Sequence, residues 1–112
     1  MLYKYLRIEN SDEYHFTTFY DKTVDYKGIL NSRPYFEFTS DTDLIRISWS
    51  LWGGRDAWII YGASGGEQWE RFITWSDVDH PKDAELWYYL PSSSNTEIGD
   101  MVPATNLIIS VE

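Results

Sequence analysis

Short runs of apolar and aromatic residues recur along the whole chain: "LYKYLRI", "YHFTTFY", "TVDYKGIL", "PYFEF", "LIRISWSL", "AWIIY", "QWERFITW", "ELWYYL" and "NLIISV". Turn-forming clusters separate them, among them Asn10-Ser11-Asp12, Asn31-Ser32-Arg33-Pro34, Gly53-Gly54, Gly62 to Gly66 and Pro91 to Asn95. Several runs alternate with the period of two that marks a half-buried strand. In "LIRISWSL", Ile45, Ile47, Trp49 and Leu51 share one face, and Arg46, Ser48 and Ser50 share the other. The last run turns Leu107, Ile109 and Val111 inward, and the first sets Leu2, Leu6 and Ile8 on one face with Lys4, and Tyr3, Tyr5 and Arg7 on the other.

The stretch Glu67 to Trp75 fits two periods. Trp69, Phe72 and Ile73 have helical spacing, whereas Trp69, Arg71, Ile73 and Trp75 alternate as a strand. Its neighbours favour the strand, with "AWIIY" turning through "GASGG" into "EQWERFITW" as a hairpin of the longer-loop kind. Near 79–86 there is room for one short helix, capped by Asp79 with Pro81 in its first turn. The pattern therefore predicts an all-β fold: one domain over residues 1–112, an antiparallel β-sandwich or barrel of about 7–9 short strands.

Composition narrows the setting. The chain of 112 residues contains no cysteine, which removes disulfides and thiolate metal sites. The opening "MLYKYLRIEN" is charged every few residues and lacks the apolar core of a secretion signal. No run approaches the ~20 apolar residues of a membrane helix, and no asparagine begins an N-x-[ST] sequon. A soluble cytoplasmic protein is the expectation.

Charge adds direction. Eighteen acidic residues against nine basic ones give −9. Residues 1–40 are near balance, with six acids and five bases, while residues 41–112 hold twelve acids and four bases. Such a surface repels nucleic acid and anionic membranes, whose binders need clustered Lys and Arg. It suits a basic partner, or simply keeps the protein in solution.

Candidate chemistry is sparse. "GASGG" matches the G-x-S-x-G of a nucleophile elbow, but the following segment reads as a strand where that motif needs a helix. A hairpin tip accounts for its three glycines more simply. His15 sits within a strand-like run. His80 lies among Asp77, Asp79, Asp83 and Glu85 in "DVDHPKDAE", where two aspartates and an imidazole have divalent-ion ligand types. Pro81 breaks the EF-hand pattern and no glycine follows, so a solvated acidic loop is the better reading. No phosphate loop, dinucleotide fingerprint or H-E-x-x-H occurs. The expectation is a non-enzymatic protein with no cofactor and no metal.

The aromatic residues carry the functional expectation. Phe, Trp and Tyr make up 18% of the chain, with six tryptophans. So many rings cannot all be interior, and rings left half-wet are what contact surfaces use. Parity assigns Trp49 to the core, and Trp69 and Trp75 are read with it. Trp52, Trp58, Trp87 and Tyr89 become candidate anchors, with Leu86, Tyr88 and Leu90 on the core side. The acids Asp77, Asp79, Asp83 and Glu85 become candidate steering groups. Together these describe a small acidic antagonist that occupies a basic surface of a partner protein, such as a toxin or a nucleic-acid-binding enzyme. In composition it resembles toxin-neutralising immunity proteins and phage anti-defence proteins. The alternative is a lectin-like module, in which "LWGGRDAW" offers tryptophans flanked by Asp and Gly.

Overall fold

The computed structural model describes residues 4–10, 22–64, 67–89 and 102–111. Leu2, the run 14–20 with His15, the loop residues Gly65 and Gly66, Leu90 and the turn 91–95 lie outside these, as does the side chain of Trp69. Nine strands are present among the described residues: β1 (Tyr5–Asn10), β2 (Lys22–Leu30), β3 (Arg33–Thr39), β4 (Asp43–Trp52), β5 (Arg55–Ser64), β6 (Glu67–Thr74), β7 (Tyr88–Tyr89), β8 (Val102–Pro103) and β9 (Leu107–Val111). All pairings are antiparallel. They form one sheet in the order β8-β7-β6-β5-β4-β3-β2-β1-β9. The all-β expectation holds, in its barrel-like form: the sheet is a curled half-barrel.

The curl follows from connectivity. β8 and β9 stand at opposite edges of the sheet, yet only residues 104–106 join them. That link reaches at most about 14 Å at ~3.5 Å per residue. A flat sheet of nine strands would set its edges about 38 Å apart at ~4.8 Å per strand. The sheet must bend until its edges approach, and the apolar face goes inside the bend.

Tight turns set the register. Asn31 and Ser32 both take positive φ (54° and 72°), as do Gly53 and Gly54 (59° and 84°). Positive φ at both central positions is the type I′ geometry that matches the twist of a hairpin. The β5–β6 hairpin is confirmed as strands, with Ser64 opposite Glu67. Its loop is shorter than expected, because β5 runs on through Gly62 to Ser64.

Alternation predicts the interior of β4 well. Ile45, Ile47 and Trp49 are buried, joined by Leu6, Ile8 and Phe36 from the preceding strands. Leu51 has the inward parity but is 69% exposed, because the hairpin end projects past the core. Val111 is likewise exposed at the end of β9, while Leu107 and Ile109 pack on the core.

Residues 75–87 close over the interior. Val78 and Ala84 pack on the core, and His80 and Pro81 are buried. The segment is held through one carbonyl: Val78 O accepts from Trp58 Nε1 at 3.0 Å and from Arg33 Nη1 at 2.6 Å. The Arg33 guanidinium also lies 3.8 Å from the Trp49 ring centroid and bonds Asp77 at 2.6 Å. The expected helix is a single 3-10 turn, Pro81–Asp83. Its cap is His80, not Asp79: the His80 Nδ1 accepts the Lys82 N–H at 3.1 Å.

Candidate functional site

β4 to β7 carry a second apolar cluster on the face away from the interior. Ile59 alternates with the buried Trp58 and Ile60, and Ile73 alternates with Phe72. Register sets Ser48, Ile59, Ile73 and Tyr88 in one row across the four strands. Around Ala57, Ile59 and Ile73 pack the half-buried Trp52, Tyr61, Trp75 and Tyr88. Trp52 and Trp75 lie 6.0 Å apart, and Trp75 and Tyr88 6.2 Å apart, all tilted. These three rings make a continuous aromatic ladder on the outer face.

The rim of the ladder is chemically mixed. Arg55, opposite Trp52 in register, places its guanidinium 5.3 Å from the Trp75 centroid. Leu86 is 79% exposed and adopts φ +58°, a left-handed conformation that costs a β-carbon-bearing residue about 1–2 kcal/mol. Glu85, beside it, is exposed, and its carbonyl accepts from Thr74 Oγ1. The Trp75 indole nitrogen is buried without a hydrogen-bond partner among the described residues. A strained, exposed leucine beside an unsatisfied indole is not what stability alone selects.

Further along β4 the same face opens into a cleft of about 370 Å³ lined by Leu44, Arg46, Ser48, Ser50, Trp52, Ile59 and Tyr61. Ser48 is only 5% exposed, and its hydroxyl meets that of Ser50 at 3.1 Å. Arg46 Nε bonds Glu37 Oε2 at 2.7 Å.

Three of the four expected anchors are corrected. Trp58 is fully buried, Trp87 is 8% exposed and Tyr89 is 2% exposed, so none can serve as a surface contact. Both faces of β5 are apolar, so parity separates Trp58 from Ile59 without saying which is interior. Trp58 is opposite Trp49, 5.6 Å away edge-to-face, inside the curl. In "ELWYYL" the alternation holds from Trp87 to Tyr89 but with inside and outside exchanged, because the left-handed Leu86 re-aims the chain entering β7. Tyr89 packs on Phe72 at 5.4 Å. Leu86 and Tyr88, read as core, are exposed and half-buried. Trp75, also read as core, belongs to the outer ladder. Trp52 stands half-buried on the outer face.

The four acids are all exposed but not equivalent. Asp77 is ion-paired with Arg33 at 2.6 Å and Asp83 with Lys82 at 2.7 Å, whereas Asp79 and Glu85 have no ion pair among the described residues. Only Glu85 is at the ladder. His80 faces the core: its ring packs 5.4 Å from Phe36, and burial, with Lys82 beside it, outweighs the charge of Asp83 and holds its pKa below the usual histidine value. Among the described residues no group of three or more His, Asp and Glu converges on a metal position. No helix among them is long and apolar enough to cross a membrane.

The ladder left one sequence signal unread. Trp52 follows Ser48 and Ser50 at the same parity, which puts it on their outer face. Trp75 and Tyr88 gave none, because their meeting depends on the pairing of β6 with β7. No protein-family model matches the sequence, and neither a curated protein nor a solved structure matches it significantly.

Proposed function

We propose that this is a non-enzymatic acidic binding protein whose outer aromatic ladder seats on a basic surface of a partner protein and blocks it. The observation that carries this reading is the ladder Trp52–Trp75–Tyr88 with the exposed, strained Leu86 and Glu85 at its rim. Tryptophan and tyrosine dominate interface hot spots, since they bury large areas at little entropic cost. A leucine held at positive φ in solvent offsets its strain when a partner covers it. The net charge of −9 accelerates encounter with a basic protein, and Glu85 at the rim and Asp79 in the same segment, neither ion-paired among the described residues, steer it locally. Proteins with such basic surfaces include toxins and enzymes that bind nucleic acid, whose phosphate contacts require Lys and Arg. The proposed place of action is the cytoplasm, where a chain without cysteine needs no oxidising environment.

The test captures a partner on the immobilised protein from a native lysate, elutes it with a salt ramp, and measures the kinetics of the purified pair. A basic protein is expected. Asp79→Lys with Glu85→Lys should slow association several-fold at low salt and have little effect near 0.5 M, where the Debye length is only a few ångströms. Trp75→Ala should speed dissociation about 30-fold, the equivalent of a ~2 kcal/mol hot spot. Association indifferent to charge reversal and salt alike would overturn the proposal.

A further inference from the structure

The cleft along β4 has a chemistry distinct from that of the ladder. Its ends are aromatic: Trp52 at one, Tyr61 at the other beside Arg46, its register neighbour. From Arg46 to Trp52 the strand covers about 20 Å at ~3.3 Å per residue. Between them lies a floor of Ser48 and Ser50. Their mutual bond uses one of the two hydroxyl hydrogens and leaves the other, with oxygen lone pairs, for a ligand. Ser48 is only 5% exposed, so its bond to Ser50 holds the hydroxyl pair in a fixed position on the floor of the cleft.

The described lining disfavours charged ligands. Among the described residues it contains no carboxylate to hold a cation. The one cation among its described residues, Arg46, is already neutralised through Nε by Glu37 at 2.7 Å, and Asp25 stands opposite Glu37 in register. An anion entering this face of a chain of −9 would gain little. What remains is a fork of Arg46 Nη donors, a hydroxyl pair and two aromatic rings at the ends. Those groups complement adjacent hydroxyls and the C–H faces of a neutral sugar, and the length of the cleft suits more than one ring.

We infer that this cleft binds a neutral linear oligosaccharide, with one sugar on Trp52, one by Tyr61 and Arg46, and the serine pair between. The inference does not depend on the ladder's having a protein partner.

The test is an NMR titration of the full chain, following the indole N–H signals with methyl glucoside, maltotriose, cellotriose and chitotriose, and with benzoate as an anion. At least one trisaccharide should shift the Trp52 signal at millimolar concentration, bind about tenfold more tightly than the monosaccharide, and leave the buried Trp58 unmoved. Ser48→Ala with Ser50→Ala should weaken binding about tenfold, and Trp52→Ala should abolish it while the indole signals of the buried Trp49 and Trp58 keep their positions. Absence of response to all three trisaccharides at 20 mM would overturn the inference. So would equal binding by the serine variant, or a response to benzoate in place of the sugars.

Discussion

Replacing Arg33 by methionine and Trp58 by phenylalanine, singly and together, tests whether one carbonyl holds the segment that carries Trp75. Val78 O accepts from both residues, Arg33 Nη1 at 2.6 Å and Trp58 Nε1 at 3.0 Å. Arg33→Met keeps the apolar stem but loses a charged hydrogen bond, the stacking on Trp49 and the pair with Asp77. Charged bonds contribute roughly 1.5–3 kcal/mol and a cation–π contact about 1. The pair adds little, because Asp77 is 77% exposed. Since Trp58 still satisfies the carbonyl, about 2–3 kcal/mol is expected. Trp58→Phe loses a neutral hydrogen bond and leaves a small void, about 2 kcal/mol, while Arg33 keeps the carbonyl bonded. Only the double variant leaves it with neither donor, which adds the desolvation cost of an unsatisfied group, roughly 1–2 kcal/mol beyond the sum. Urea denaturation of the four proteins measures the cycle. A parallel cycle of Arg33→Met with Ile60→Val, a buried residue outside this hydrogen-bond network, should be additive. If Arg33 and Trp58 are also additive within about 0.5 kcal/mol, water reaches the carbonyl and the pin does not exist.

Three further outcomes are expected. Leu86→Gly should raise stability by roughly 0.5–1 kcal/mol, the released left-handed strain less the greater freedom of unfolded glycine; thermal melts should show the gain while partner dissociation quickens. His80 is held below its usual range, first by burial and then by Lys82. Its neutral form is therefore favoured by folding, so stability is complete above about pH 6.5 and falls as the pH drops through the depressed folded value. His80→Asn, which keeps an acceptor for the Lys82 N–H, should flatten that slope in urea midpoints taken from pH 8 to 5. Gly53→Ala should cost about 1 kcal/mol from backbone strain alone, because no heavy atom lies within 4 Å of the added carbon, and Gly53→Asn should recover much of it in the same melts.

Much of the sheet was legible in the chain because strand structure is a local property. Alternation in "LIRISWSL" names Ile45, Ile47 and Trp49 as one face, and Gly53-Gly54 names the turn after it. The charge surplus needs no structure at all. Which face becomes interior was decided elsewhere. Where both faces are apolar, as in β5, period two separates Trp58 from Ile59 but gives no side. The bend that brings β8 and β9 together selects it. Bulges between Tyr26 and Gly28 and between Ile60 and Gly62 shift the register within strands. The ladder depends on β6 meeting β7 and on a left-handed Leu86, so Trp75 and Tyr88 meet only in three dimensions. Local pattern determined the strands and the charge; long-range closure of the sheet decided which aromatic residues face solvent.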